Sequence, residues 1–176
     1  MKKILAFSGS NSSKSINQQL VHILAKYVSK AAIEVISLRD YEAPVYGMDA
    51  EQNDGFPASM EALHEKIGEA DGFIVSSPEH NGSMPAVLKS TIDWQSRMGR
   101  KVFNNKPTLF TSTSPGGRGG LTALSHLLAI MPHQGAQVIG GHALGSFNDK
   151  VVDGDLVAGE DKDTLLALIE QLEAAL

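Results

Sequence analysis

The sequence has no cysteine, no apolar run near the length of a membrane helix and no block of basic residues. The first absence excludes disulfides, thiolate nucleophiles and cysteine-liganded metal sites, so catalysis falls to other groups or to a bound cofactor. The second excludes insertion of a helix into a bilayer, which takes about 20 apolar residues. The start, Met1-Lys2-Lys3 and then Ile4-Leu5-Ala6-Phe7, imitates a secretion signal only briefly, since such a signal needs an apolar region of roughly 7–15 residues. A first strand in a cytoplasmic protein is the expectation. The third absence, together with a net charge of −5, leaves no basic stripe to neutralise a nucleic-acid backbone. What is present, 42% hydrophobic and 20% charged residues over 176 positions, suits one compact domain covering residues 1–176 and is too short for two of usual size.

Apolar periodicity alternates between short and long elements. Residues 3–7 read as a buried strand and residues 16–30 as a helix with Ile16, Leu20, Ile23, Leu24 and Tyr27 or Val28 on its core face. Further strands are predicted over residues 33–38, 72–76, 107–111 and 136–140, and helices over 57–69, 85–95, 121–130 and 162–176. Pro57 and Pro85 are tolerated in a first helical turn. The helix after Gly120 is rich in apolar and small residues and is expected to be buried on most sides. Residues 39–56, containing Pro44, Gly47 and Gly55, read as a long irregular loop of functional or interfacial character. Strands alternating with helices imply parallel crossovers. The fold class is therefore α/β, a doubly wound five-stranded parallel sheet of order 2-1-3-4-5 with helices on both faces.

Three glycine-rich segments each follow a predicted strand: residues 8–15, 78–82 and 112–120. In an open parallel sheet such loops converge on one crevice. The first, Ser8-Gly9-Ser10-Asn11-Ser12-Ser13-Lys14-Ser15, lets backbone N–H groups turn toward an anion while the next helix adds its positive end and the serines add hydroxyl donors. It lacks the spacing of a Walker loop and of the dinucleotide fingerprint. A plain helix cap would account for one serine. The second loop, bounded by Pro78 and Pro85, is rigid and polar, suited to lying against an aromatic ring.

Ser8-Gly9-Ser10 with Ser15-x-Asn17, then Pro78-Glu79-His80-Asn81-Gly82-Ser83-x-Pro85-x-x-Leu88-Lys89-x-x-Ile92-Asp93-Trp94, resembles the NADPH-dependent FMN reductase family of flavodoxin-like proteins, which includes quinone, chromate and azo-dye reductases. The resemblance runs over nearly the whole chain. It implies that Ser10, Ser12, Ser15, Ile16 and Asn17 hold the FMN phosphate, that Pro78, Glu79, His80, Asn81 and Gly82 pack beside the isoalloxazine, and that Ser114, Gly116, Gly117 and Gly119 close its other edge. It further implies that two electrons pass from NAD(P)H through flavin N5 to a quinone-like or other small acceptor. The redox chemistry then belongs to the cofactor, and no catalytic side chain is required. A homodimer or homotetramer is implied as well, with residues 41–56, Trp94 and Met98 offered as contact surface.

Two positions depart from the family pattern. Many relatives carry arginine at Ser12 and tyrosine at His80. An electron carrier or a flavin-free binding module is the competing reading. A phosphoryl-accepting regulator is excluded, because Ser8 and Ser76 stand where it needs acidic residues. His22, His64, His126, His133 and His142 lack zinc-site spacing, and the acidic cluster from Asp149 to Asp163 lacks calcium-loop spacing. That cluster is expected to be a solvated turn. Because Lys14 supplies only a flexible point charge in place of a guanidinium fork, Ser12→Arg is expected to tighten FMN binding by about tenfold; equal dissociation constants by fluorescence titration would dismiss the idea.

Overall fold

A computed structural model describes all residues, Met1–Leu176. Its sheet has the strand order β2-β1-β3-β4-β5, all pairs parallel. The strands are β1 (Lys3–Ser8), β2 (Ala32–Ser37), β3 (Gly72–Ser76), β4 (Lys106–Thr113) and β5 (Ala136–Leu144). Between them run α1 (Ile16–Ala25), α2 (Met48–Asp54), α3 (Ala58–Glu69), α4 (Ala86–Met98) and α5 (Leu121–Ile130), and α6 (Phe147–Lys150) and α7 (Glu160–Ala175) follow. A small hairpin, β6 (Val151–Val152) with β7 (Asp155–Leu156), precedes α7.

Alternation along the buried strands sorts side chains into two cores. Ile4, Ala6, Ile74 and Leu109 face α1 and α7, whereas Leu5, Phe7, Phe73, Val75 and Phe110 face α3, α4 and α5. Each fully buried side chain of this size contributes about 1.5–3 kcal/mol, and the facing helices bury a comparable set, among them Leu20, Leu24, Leu63, Trp94, Leu127 and Leu165. Every strand ends on the same edge of the sheet, and the three glycine-rich loops leave from there.

Several expectations are corrected. First, α1 stops at Ala25 because its apolar stripe ends there, with Leu20, Val21, Ile23 and Leu24 buried and Tyr27 and Val28 only partly so. Second, residues 39–56 are not wholly irregular: a 3₁₀ turn (Leu38–Tyr41) and α2 occupy them. α2 buries no residue and therefore leaves no apolar periodicity to detect. Trp94 is 1% exposed. It binds this segment within the chain, donating Nε1–H to the Pro44 carbonyl at 2.9 Å and packing edge-on against Tyr46 and Phe56, so it is not a contact surface for another subunit. Third, β5 runs past Gly140 to Leu144 because residues 140–144 stay paired with Leu109–Thr113 of β4, and a Cβ at Gly140 would meet Leu168 at 2.5 Å, so the missing side chain lets α7 approach. Fourth, α5 buries only Ala123, Leu124 and Leu127 and leaves Leu121, Ser125 and His126 exposed, because it covers the sheet with one face.

The acidic stretch is more structured than a solvated turn. Asp155 accepts from Tyr27 Oη and from the Leu156 amide. Asp161, in the first turn of α7, pairs with Lys150 Nζ at 2.8 Å and with His142 Nε2 at 2.9 Å. The Lys150 ammonium above all, and His142 after it, hold the Asp161 carboxyl below its ordinary range against the opposing cost of burial. A carboxyl held low stabilises the fold at pH values above the unfolded-chain value, about 3.9, and the contribution is lost as pH falls through the lower folded value. Asp161→Asn is therefore expected to lower Tm by about 2–4 °C at pH 7, with the gap to the parent protein closing only in melts well below pH 4; a gap unchanged at low pH would place its origin outside this ion pair.

Candidate cofactor site

The first loop is organised by its own serines. Ser10 Oγ accepts from the Ser12 amide at 3.1 Å, Ser12 Oγ from the Lys14 amide at 3.2 Å, and Ser15 Oγ from the Gln18 amide at 3.1 Å, the last being the N-cap of α1. A hydroxyl that accepts in this way keeps its own proton for donation. The amides of Ile16 and Asn17, in the first turn of α1, have no partner within the chain, as the end of a helix leaves them. Three hydroxyl protons, two amides and the positive end of a ten-residue helix thus gather at one place.

Asn17 itself is buried. Its Oδ1 accepts from the Thr113 amide at 3.0 Å and from Ser76 Oγ at 2.8 Å, while its Nδ2 donates to the Thr113 carbonyl at 3.0 Å. One side-chain amide therefore joins α1 to the ends of β3 and β4. Its side chain secures the first loop against the third.

The second loop turns on Asn81 and Gly82, both at positive φ (51° and 76°). His80 and Ser83 exchange backbone hydrogen bonds of 2.9 and 3.1 Å across them, the two-residue hairpin that Asn-Gly favours. Glu79 turns away from this hairpin. Its Oε2 accepts from the amides of Thr122 and Ala123 at 3.0 and 3.1 Å, capping α5, whose own N-cap residue Gly120 has no side chain to do so. In the third loop the Gly116 carbonyl accepts from Ser114 Oγ, Gly119 N and Ser146 N. Gly145 backs the loop closely, since a Cβ there would lie 2.2 Å from the Gly117 oxygen.

A cleft of about 360 Å³ opens among the three loops. Of the predicted site residues, Ser10, Ser12, Ser15, Ile16, Asn17, Pro78, Glu79, His80 and Ser114 line it. Asn81 lines an adjoining cleft, and Gly82 shapes the turn. Gly116 and Gly117 are exposed on the third loop, and a Cβ on Gly117 would meet nothing within 4 Å. Gly119 is buried at φ 61°, with Leu144 and Gly145 backbone where a Cβ would be, so it supports the loop from behind. Lys14, Thr113 and Pro115 complete the lining. Thr113 and Pro115 flank the predicted Ser114, and their adjacency was the available signal; Gly145 and the capping role of Glu79 had none.

These donors suit a phosphate monoester at the first loop, and the rigid hairpin and open third loop suit a flat ring beside it. The strand order is that of flavodoxin-like proteins, and the crevice lies at the carboxyl ends of the strands where that class binds its nucleotide. The sequence model of the NADPH-dependent FMN reductase family matches residues 2–150. A quinone reductase of Escherichia coli (strain K12) is 34% identical over 174 residues, spanning 98% of this chain and 92% of that protein. A 2-hydroxy-1,4-benzoquinone reductase of a Burkholderia species is 36% identical over 130 residues, 73% of this chain and 69% of that one. Among solved structures, the flavoenzyme NAD(P)H:(acceptor) oxidoreductase of Paracoccus denitrificans superposes with a TM-score of 0.80 at 24% identity, covering 99% of this chain and 97% of that one. The chain belongs to the NADPH-dependent FMN reductase family.

Truncating Asn17 would leave the Thr113 backbone groups and Ser76 without their buried partner, a loss of about 1–3 kcal/mol per orphaned group. Asn17→Ala is expected to lower both the melting temperature and FMN affinity, whereas an effect on affinity alone would show that Asn17 is not the clamp described.

Proposed function

We propose that this protein is an FMN-dependent NAD(P)H oxidoreductase that delivers two electrons to a quinone-like acceptor. The observation that carries the reading is the convergence of three loops on one cleft, with unspent hydroxyl and amide donors on one side and a rigid hairpin on the other. Bound FMN supplies the redox chemistry, taking hydride from the nicotinamide and passing two electrons onward. The chain's share is placement.

In this reading Ser10, Ser12 and Ser15 donate their hydroxyl protons to the phosphate, and the Ile16 and Asn17 amides complete its shell. Lys14, the one lysine or arginine in the cleft lining, partly neutralises the charge. Pro78, His80, Asn81 and Gly82 lie beside the ring, Glu79 holds that hairpin to α5, and Ser114, Gly116 and Gly117 form the opposite edge with Gly119 beneath them. The relatives named for quinone reduction support the acceptor class. No helix is long and apolar enough to cross a membrane, and a single cytoplasmic domain acting as a homodimer or homotetramer is part of the proposal. Exposed Val45 and Met48, at 78% and 64%, support subunit contact through the segment around α2.

The test is the visible spectrum of the purified protein before and after adding FMN and desalting, followed by anaerobic NADPH and NADH. A retained flavin band that bleaches with either nucleotide is expected. Retained flavin that resists both nucleotides would point to an electron carrier instead, and loss of all flavin on desalting to a cofactor-free module. Gly117→Val, which the fold accommodates in open space, is expected to weaken FMN binding about tenfold or more at an unchanged melting temperature.

A further inference from the structure

A second cleft, about 510 Å³, opens beside the first, and His80 lines both. Its polar lining consists of His80, Asn81, Ser83, Lys89 and His126, without a carboxylate. Of the two carboxylates nearby, one is directed away and the other pairs with the cleft's own lysine. Glu79 caps α5, and Asp93 binds Lys89 Nζ through both oxygens at 2.6 and 2.7 Å, leaving one of the three ammonium protons free. The His126 ring is fixed across the cleft by a 2.8 Å hydrogen bond between Nδ1 and Ser83 Oγ. Arg118 borders the same hairpin: its Nη2 donates to Thr122 Oγ1 at 3.2 Å, and the Thr122 methyl lies 3.9 Å from where a Cβ on Gly82 would be. Lys89 in its pair with Asp93, the rings of His80 and His126, and Arg118 at the border thus place nitrogen donors around one turn.

We propose that this basin is an anion subsite for the second substrate, receiving either the phosphates of the nicotinamide nucleotide or an acidic substituent of the acceptor. It rests on the flavin oxidoreductase reading, since only that reading brings a second substrate to the neighbouring cleft. An arginine bordering the turn and a ring held in place by Ser83 offer directional donors to an oxyanion, and charge-assisted bonds of this kind are about twice as strong as neutral ones.

The test titrates the full chain, with and without added FMN and with no electron donor present, with two probes, 2′,5′-ADP and anthraquinone-2-sulfonate, followed calorimetrically. KM is measured in parallel for NADPH, NADH, benzoquinone and a sulfonated quinone. Arg118→Gln combined with His126→Gln is expected to weaken 2′,5′-ADP and raise the KM for NADPH by about tenfold, with kcat, benzoquinone KM and FMN affinity unchanged. Arg118→Lys, which keeps the charge and loses the guanidinium fork, should keep only part of the affinity. Weakening confined to anthraquinone-2-sulfonate and the sulfonated quinone would assign the subsite to the acceptor. If neither probe binds the parent chain, or neither weakens in the double variant at an unchanged melting temperature, the subsite is overturned. Failure of the parent chain to hold FMN or to be reduced by NAD(P)H would overturn the oxidoreductase reading instead, and the titrations without FMN would still judge the subsite.

Discussion

The buried amide of Asn17 is the constraint on which the cofactor cleft depends. A polar side chain at 2% exposure is tolerable only if its hydrogen-bonding groups are met, and Asn17 meets them by copying a strand partner, taking both the N–H and the C=O of Thr113. Ser76 adds the third bond. Because these partners end β4 and β3 while Asn17 opens α1, a single amide sets the distance between the loop that presents hydroxyl donors and the loop that faces it. The cleft can therefore be formed before any ligand arrives, which reduces the ordering cost of binding.

Glu79 does the same on the opposite side. Its carboxylate meets two amides at the positive end of α5, an arrangement that both satisfies orphan donors and complements the helix dipole. The second and third loops are thereby joined without a covalent link. With Glu79 so directed, the lining of the second cleft contains no carboxylate. Glycine completes the framework where backbone must approach backbone, most tightly at Gly145 against Gly117.

Trp94 shows how one aromatic residue can organise a long connection. Buried against the α3–α4 core, it uses its indole N–H to hold the Pro44 carbonyl, and Glu51 then ties α2 to α4 through Arg97 while also accepting from Tyr46 Oη of the segment before α2. The connection after β2 is consequently anchored along α4, next to the hairpin that carries His80.

The buried strands and the order of elements were legible in the sequence because short apolar runs between glycine-rich turns have few other foldings open to them. The three loops were legible for the same reason, and the length of the Pro78–Trp94 motif pointed to the family. α2 was not legible, since a helix that buries nothing has no apolar stripe, and the reach of β5 was hidden by Gly140 and Gly141, whose meaning lies in the helices packed over them. Local sequence by itself determined the five sheet strands, the helices that bury an apolar face and which loops are chemically rich, because those follow from residue propensity and apolar periodicity. Only the tertiary structure decided that Asn17 would hold Thr113, that Glu79 would cap α5 and that Ser83 would fix His126, because each bond joins residues distant in the chain that come together only when parallel strands end side by side.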